Sequence, residues 1–112
     1  MNARNERARL EATGAGFRIE CRSFKRVEKN TLRGFVSLKI TPPGLVVNDV
    51  CLHEKGDRRW LSFPAKPYQD KEGKQQWWPV VEIEDRETLR RVQAAGLAAI
   101  DRYLQQGGGV HE

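Results

Sequence analysis

Leu45-Val46-Val47-Asn48-Asp49-Val50, followed later by Trp60-Leu61-Ser62-Phe63-Pro64-Ala65-Lys66, decides the fold class. Val46, Val47 and Val50 are β-branched and suit a pleated, half-buried surface, so a strand is predicted from Leu45 to His53. Glu54-Lys55-Gly56-Asp57 reads as a hairpin turn, which makes Arg58 to Phe63 the next strand. Pro64 to Gln76 is then expected to be a loop too long for a tight hairpin, with Gly73 at its tip. Loops of that length often carry function.

Upstream, Phe17, Ile19 and Cys21 alternate with Glu20 and Arg22, and the strand is predicted to run to Val27. Phe24 falls on the charged side of that alternation, which calls for a bulge or twist near Ser23. Glu28-Lys29-Asn30-Thr31 is a polar turn. In the strand from Gly34 to Thr41, Val36, Leu38 and Ile40 alternate with Phe35, Ser37 and Lys39. Pro42-Pro43-Gly44 ends it, because proline lacks the N–H that a ladder requires. Downstream, Trp77 to Glu82 is a fifth strand, confined to an edge or bulge by Pro79.

From Asp85 the period changes. Leu89, Val92, Gly96, Ala99, Ile100, Tyr103 and Leu104 recur at three- and four-residue steps and predict one apolar helical face. Asp85 suits the N-cap, Glu87 the positive helix end, and Gly107 the residue past the C-terminus. A glycine within a helix is costly, so Gly96 points to close approach by the sheet or a partner helix. The fold expected is α+β: an antiparallel sheet of about five strands with a C-terminal helix packed on one face. Residues 17–106 form the single domain, flanked by polar tails at 1–16 and 107–112; a short helix from Asn5 to Ala12 would be marginal alone.

The 112 residues leave no room for a second core, and dimerisation is a natural way for so small a chain to complete its burial. The formal net charge is +5, which favours polyanionic partners or simply aids solubility. Cys21 and Cys51 form no Cys-x-x-Cys pair and read as reduced thiols of a cytoplasmic protein. The Arg-rich start has no apolar leader, and no run reaches membrane-spanning length.

Catalytic motifs are missing. Neither a dinucleotide-binding Gly-x-Gly-x-x-Gly nor a Gly-Lys-Ser/Thr phosphate loop occurs. Ser62, His53 and Asp49 supply triad residue types, but no nucleophile elbow surrounds Ser62. Cys51 and His53 share one side of a strand, and two ligands do not make a zinc site. No enzyme activity, metal, cofactor or small-molecule substrate is expected. The basic side chains Lys25 and Arg26, Lys39 on the next strand, and Lys66, Lys71 and Lys74 on the loop are candidates to meet phosphates. Trp77, Trp78, Tyr68 and Phe35 could offer faces for unpaired bases, with Tyr68 and Trp77 the leading candidates to stack. Against this, Trp60, Trp77 and Trp78 suit a core or a protein interface, and lysines also keep edge strands apart.

Arg22-Ser23-Phe24-Lys25-Arg26-Val27, Gly34-Phe35-Val36-Ser37-Leu38-Lys39-Ile40, the valine-rich segment and Phe63-Pro64-Ala65-Lys66 together resemble the SpoVG-type septation regulators of bacteria. The resemblance spans roughly Ile19 to Tyr103. It implies a small α+β homodimer that binds DNA or RNA, with Lys66 matching the basic residue after the family's proline and Lys25-Arg26 its opening basic pair. Trp77-Trp78-Pro79 stands where that family carries an Arg-Asp pair, and Pro67 where it is commonly basic. The functional expectation is therefore a cytoplasmic, homodimeric nucleic-acid-binding regulator, with unpaired strands among its candidate ligands. The alternative is a protein-interaction module anchored by the aromatic loop.

Overall fold

The computed structural model describes residues 16–107. Four strands form one antiparallel sheet in the order β1-β2-β3-β4: β1 Arg18–Lys29, β2 Leu32–Thr41, β3 Leu45–Lys55 and β4 Arg58–Ser62. Two more, β5 Ala65–Gln69 and β6 Gln75–Pro79, pair only with each other. One helix, α1, spans Arg86–Gln105 and packs against the four-stranded sheet over β1 and β4. The fold is α+β, with strands and helix segregated along the chain as the change of period predicts.

The strand alternation is kept in phase by irregularities. In β1, Cys21 faces Leu38 and Ser23 faces Ser37, so Arg22 is the extra residue of a bulge. That single insertion returns Phe24, 3% exposed, to the core face alongside Ile19 and Cys21. In β3 the register shifts between Val50 and Val47, where Asp49 takes φ 61°. Both valines are thereby buried.

The core lies between this sheet face and α1. Val36, Leu38 and Val50 come from the two central strands, Leu61 from β4, and Val92, Ala99 and Ile100 from the helix. Asp85 caps α1, its carboxylate accepting from the Thr88 backbone N–H at 2.8 Å and the Thr88 hydroxyl at 2.7 Å. These bonds hold the Asp85 carboxyl below the usual range. At the other end Gly107 adopts φ 79°, and its N–H donates to the Leu104 carbonyl. A Cβ on Gly96 would lie 2.7 Å from Leu61 Cδ1, so the close approach predicted for this glycine is to the sheet.

Two polar contacts fix the helix laterally. Gln93 reaches the free side of edge strand β4, accepting from Leu61 N–H at 2.8 Å and donating to Leu61 O at 2.7 Å. It thereby occupies backbone groups that would otherwise template an intruding strand. Arg59 bonds both carboxylate oxygens of Asp101 at 2.8 and 3.0 Å, and this hydrogen bonding holds the Asp101 carboxyl below its ordinary pKa. The stabilisation is present above the ordinary carboxylate pKa and fades as pH falls through the lowered value.

The segment expected to be a loop is instead a hairpin. Pro64 and Pro67 disguise it, but each strand of a two-stranded sheet has a free edge where a missing donor costs nothing. The fifth strand ends at Pro79 rather than Glu82 and joins β5, not the main sheet. The two cysteines lie on opposite faces of the sheet as free thiols. Burial pushes the Cys21 thiol up to about 11. The N-terminal segment proposed as a short helix falls outside the described residues.

Gly34 is the tightest point inside the sheet, where an added Cβ would meet Phe24 Cζ at 2.7 Å and the Lys25 carbonyl at 3.1 Å. Gly34→Ala is expected to lower unfolding free energy by about 1–3 kcal/mol through overpacking. In urea titrations the loss should shrink when Phe24→Leu removes the colliding ring; equal losses in both backgrounds would contradict this packing.

Candidate nucleic-acid interface

Because α1 covers one face of the four-stranded sheet, the residues between the core positions emerge on the other. Cross-strand register sorts them into rows. Lys25 faces Phe35, Phe35 faces Cys51, and Cys51 faces Ser62. Ser23 faces Ser37, whose hydroxyl donates to Asn48 Oδ1 at 2.6 Å. Glu20 faces Lys39, which faces Val46. Towards the β3–β4 turn, His53 faces Trp60 and Lys55 faces Arg58.

The charge on this open face is one-sided. In the paired rows Arg18, Lys25, Lys39, Lys55 and Arg58 stand against Glu20, and the exposed bulge residues Arg22 and Asp49 add one charge of each sign. The opposite face has its cations neutralised or packed: Arg59 pairs with Asp101, and the Arg26 guanidinium sits 5.9 Å from the centroid of the Phe24 ring.

The Lys25-Arg26 pair is therefore split. The bulge at Arg22 sets Arg26 opposite Gly34 on the helix-side face, while Lys25 points to the open one. Consecutive residues of a regularly paired strand point to opposite faces, so the two do not act as one basic patch. Lys39 lies on the open face with Lys25.

The other candidates sit on the hairpin. Lys66 faces Trp78 and Tyr68 faces Gln76, so these four share one side. Trp77 is opposite Pro67 and projects from the other side. The stacking partner nearest Tyr68 is consequently Trp78 rather than Trp77, and Lys66, Pro67, Tyr68 and Trp78 line a shallow cleft of about 370 Å³. Trp77 and Trp78 are 61% and 65% exposed, and no residue of β5 or β6 joins the core cluster.

Asp70 builds the turn that carries Lys71 and Lys74. Its Oδ1 accepts from the Glu72 and Lys74 backbone N–H groups, each at 2.9 Å, and its own N–H donates to the Lys74 carbonyl at 3.0 Å. This is the Asx chemistry that makes aspartate a turn former.

His53 is the feature that sequence reading undervalued. Its Nδ1 is 2.9 Å from Thr31 Oγ1 and its Nε2 is 3.1 Å from Ser62 Oγ. Its ring stacks on Trp60 with centroids 5.4 Å apart and planes 10° from parallel, and Arg58 lies 5.6 Å from the Trp60 ring centroid. Alternation around Leu61 signals that Trp60 and Ser62 share the outer face; only the β3–β4 register reveals His53 between them. Ser62 and His53 are thus bonded, but a hydroxyl rather than a carboxylate holds the second ring nitrogen. It cannot stabilise an imidazolium as a triad aspartate does.

Among the described residues, no three His, Cys, Asp or Glu side chains group closely enough to hold a metal ion. No helix among them is long and apolar enough to cross a membrane. No family model matches the chain, and a search of curated proteins finds no match.

Asp70→Ala should accelerate amide hydrogen exchange at Glu72 and Lys74 about fivefold, the value of roughly 1 kcal/mol for each broken bond. Leu38, in the core, should be unaffected. Unchanged exchange at the turn would show that the β5–β6 pairing alone orders it.

Proposed function

We propose that this chain is a small nucleic-acid-binding regulatory protein, similar to the SpoVG-type septation regulators, that works as a homodimer in the bacterial cytoplasm and has no catalytic activity. The observation that carries the reading is the open sheet face, where cations from all four strands outnumber the carboxylates. A polyanion laid on such a surface releases its counterions to solution, a favourable term that grows with each phosphate neutralised. Lys25 and Lys39 contribute from the sheet, and Lys66, Lys71 and Lys74 from the hairpin. Tyr68 and Trp78 add exposed aromatic surface beside Lys66.

The homodimer is supported by the hairpin itself. A two-stranded sheet with exposed faces is marginal in water, and the large exposed Trp77 indole, on the side away from the Lys66–Trp78 cleft, favours burial against a second copy. A second reading has the same observation in its favour: Trp77 and Trp78 would anchor a different protein, the positive charge being incidental.

Gel-shift titrations with DNA and RNA at two salt concentrations separate these readings. The expected result is binding that weakens steeply with salt. Replacing Lys25, Lys39 and Lys66 together by Gln should weaken binding more than tenfold and reduce the salt slope by about 0.7–0.9 for each phosphate left without its cation. Trp77→Ala should convert a dimer to a monomer in sedimentation. Wild-type protein that leaves every probe unshifted at micromolar concentration would refute the nucleic-acid reading and favour the protein-partner one.

A further inference from the structure

Deepening the nucleic-acid reading, on which this inference rests, we propose that the open sheet face takes unpaired polynucleotide, with bases stacking at Trp60–His53 and Phe35 and phosphates held by Lys25, Lys39 and Arg58. The hairpin is a separate surface: its lysines add phosphate contacts, and its aromatic side chains are not needed for the stacking.

The aromatic groups lie in adjoining rows. Phe35 is directly opposite Cys51 on β3, and His53, two residues along that strand and on the same side, stacks on Trp60 of β4. All three rings are partly accessible, and neither Phe35, His53 nor Trp60 belongs to the core cluster on the other side of the sheet. Their placement on the outer face is imposed by the neighbours that are buried: Val36 beside Phe35, Leu52 beside His53, and Leu61 beside Trp60.

The His53–Trp60 unit is held in place before any ligand arrives. Both imidazole nitrogens are within hydrogen-bond distance of hydroxyls, from Thr31 on one side and Ser62 on the other. The ring cannot rotate without breaking those bonds, so little freedom remains to be surrendered when a base stacks. Arg58 near the indole adds a cation positioned both for the ring and for a phosphate beside it.

The geometry selects against duplex. Half-buried rings on a four-stranded sheet can meet bases only when those bases are splayed from their own stack, the way sheet-face aromatics of RNA-binding domains engage single strands. In duplex DNA the base faces are already occupied, and α1 lies on the other side of the sheet, where it cannot enter a groove from this face. Asn48, exposed and bonded to Ser37, supplies further polar atoms for a base edge beside the cationic row. Stacking is available to the bases of RNA and DNA alike, so both backbones belong to the ligand class.

Fluorescence anisotropy with labelled oligouridine, oligodeoxythymidine and a mixed-sequence duplex tests the assignment. Wild-type protein should bind at least one single strand about tenfold more tightly than the duplex. Trp60→Leu and Phe35→Leu, each checked by thermal melting, should weaken single-strand binding about tenfold and leave duplex binding within about twofold, since stacking of one base carries roughly that factor. The sequence holds three tryptophans, so Trp77→Phe with Trp78→Phe leaves Trp60 as the sole indole, still in its native site. Its fluorescence should be quenched by the single strand and not by duplex. If wild type binds neither strand form, the nucleic-acid reading fails and this inference with it. If it binds but the Trp60 and Phe35 variants bind as wild type, or Trp60 emission is unmoved, the sheet-face assignment fails while nucleic-acid binding stands.

Discussion

The seat of α1 on Leu61 governs what the rest of this molecule can present. With no Cβ at residue 96, the helix settles onto Leu61, and Gln93 grips the backbone of that same residue through both its N–H and its carbonyl. Apolar burial and a two-point polar bond thus act at one position of the edge strand. Once the helix is committed there, Ile19, Phe24, Val36, Leu38 and Val50 are all on the covered side. The residues that alternate with the core positions in the paired rows are committed to the other. The chemical character of the open face is therefore set by which residues alternate with the core.

Those intervening residues have a composition that packing does not require. A solvated sheet face is adequately served by Thr, Ser and mixed charges of both signs. Here the paired rows hold one acidic side chain and five basic ones, and a histidine–tryptophan stack has both histidine nitrogens engaged. Lys55 and Arg58 face each other across β3 and β4, and their like charges repel at a small cost. A bound polyanion relieves that repulsion, and this links the energetics of the free fold to the proposed function.

The elements with regular periods were legible in the sequence. Val36, Leu38 and Ile40 alternate cleanly, Asp85 announces the helix start, and the misplacement of Phe24 betrayed a bulge one residue from where it occurs. Asp49 gave no such sign, since positive φ is more often marked by glycine or asparagine. The β5–β6 hairpin was hidden because prolines at 64 and 67 normally argue against strands, and isolation from the main sheet is what makes them tolerable. The site was legible as a set of residues more than as a surface. Faces depend on insertions of one residue: Arg26 left the basic group for that reason, and Trp78 took the place expected of Trp77 beside Tyr68. The His53–Trp60 contact depends on register across the β3–β4 turn, which alternation within either strand cannot supply.

Division of the sheet into a structural face and a recognition face can be tested in one titration. Backbone amide shifts of isotopically labelled protein would be followed as oligouridine or oligodeoxythymidine is added at low salt. Lys25, Phe35, Cys51, His53 and Trp60 should move together and saturate, while Val92, Ala99 and Ile100 on the covered side remain in place. Shifts confined to α1, or to the β5–β6 hairpin with β1–β4 silent, would contradict a recognition role for the open sheet.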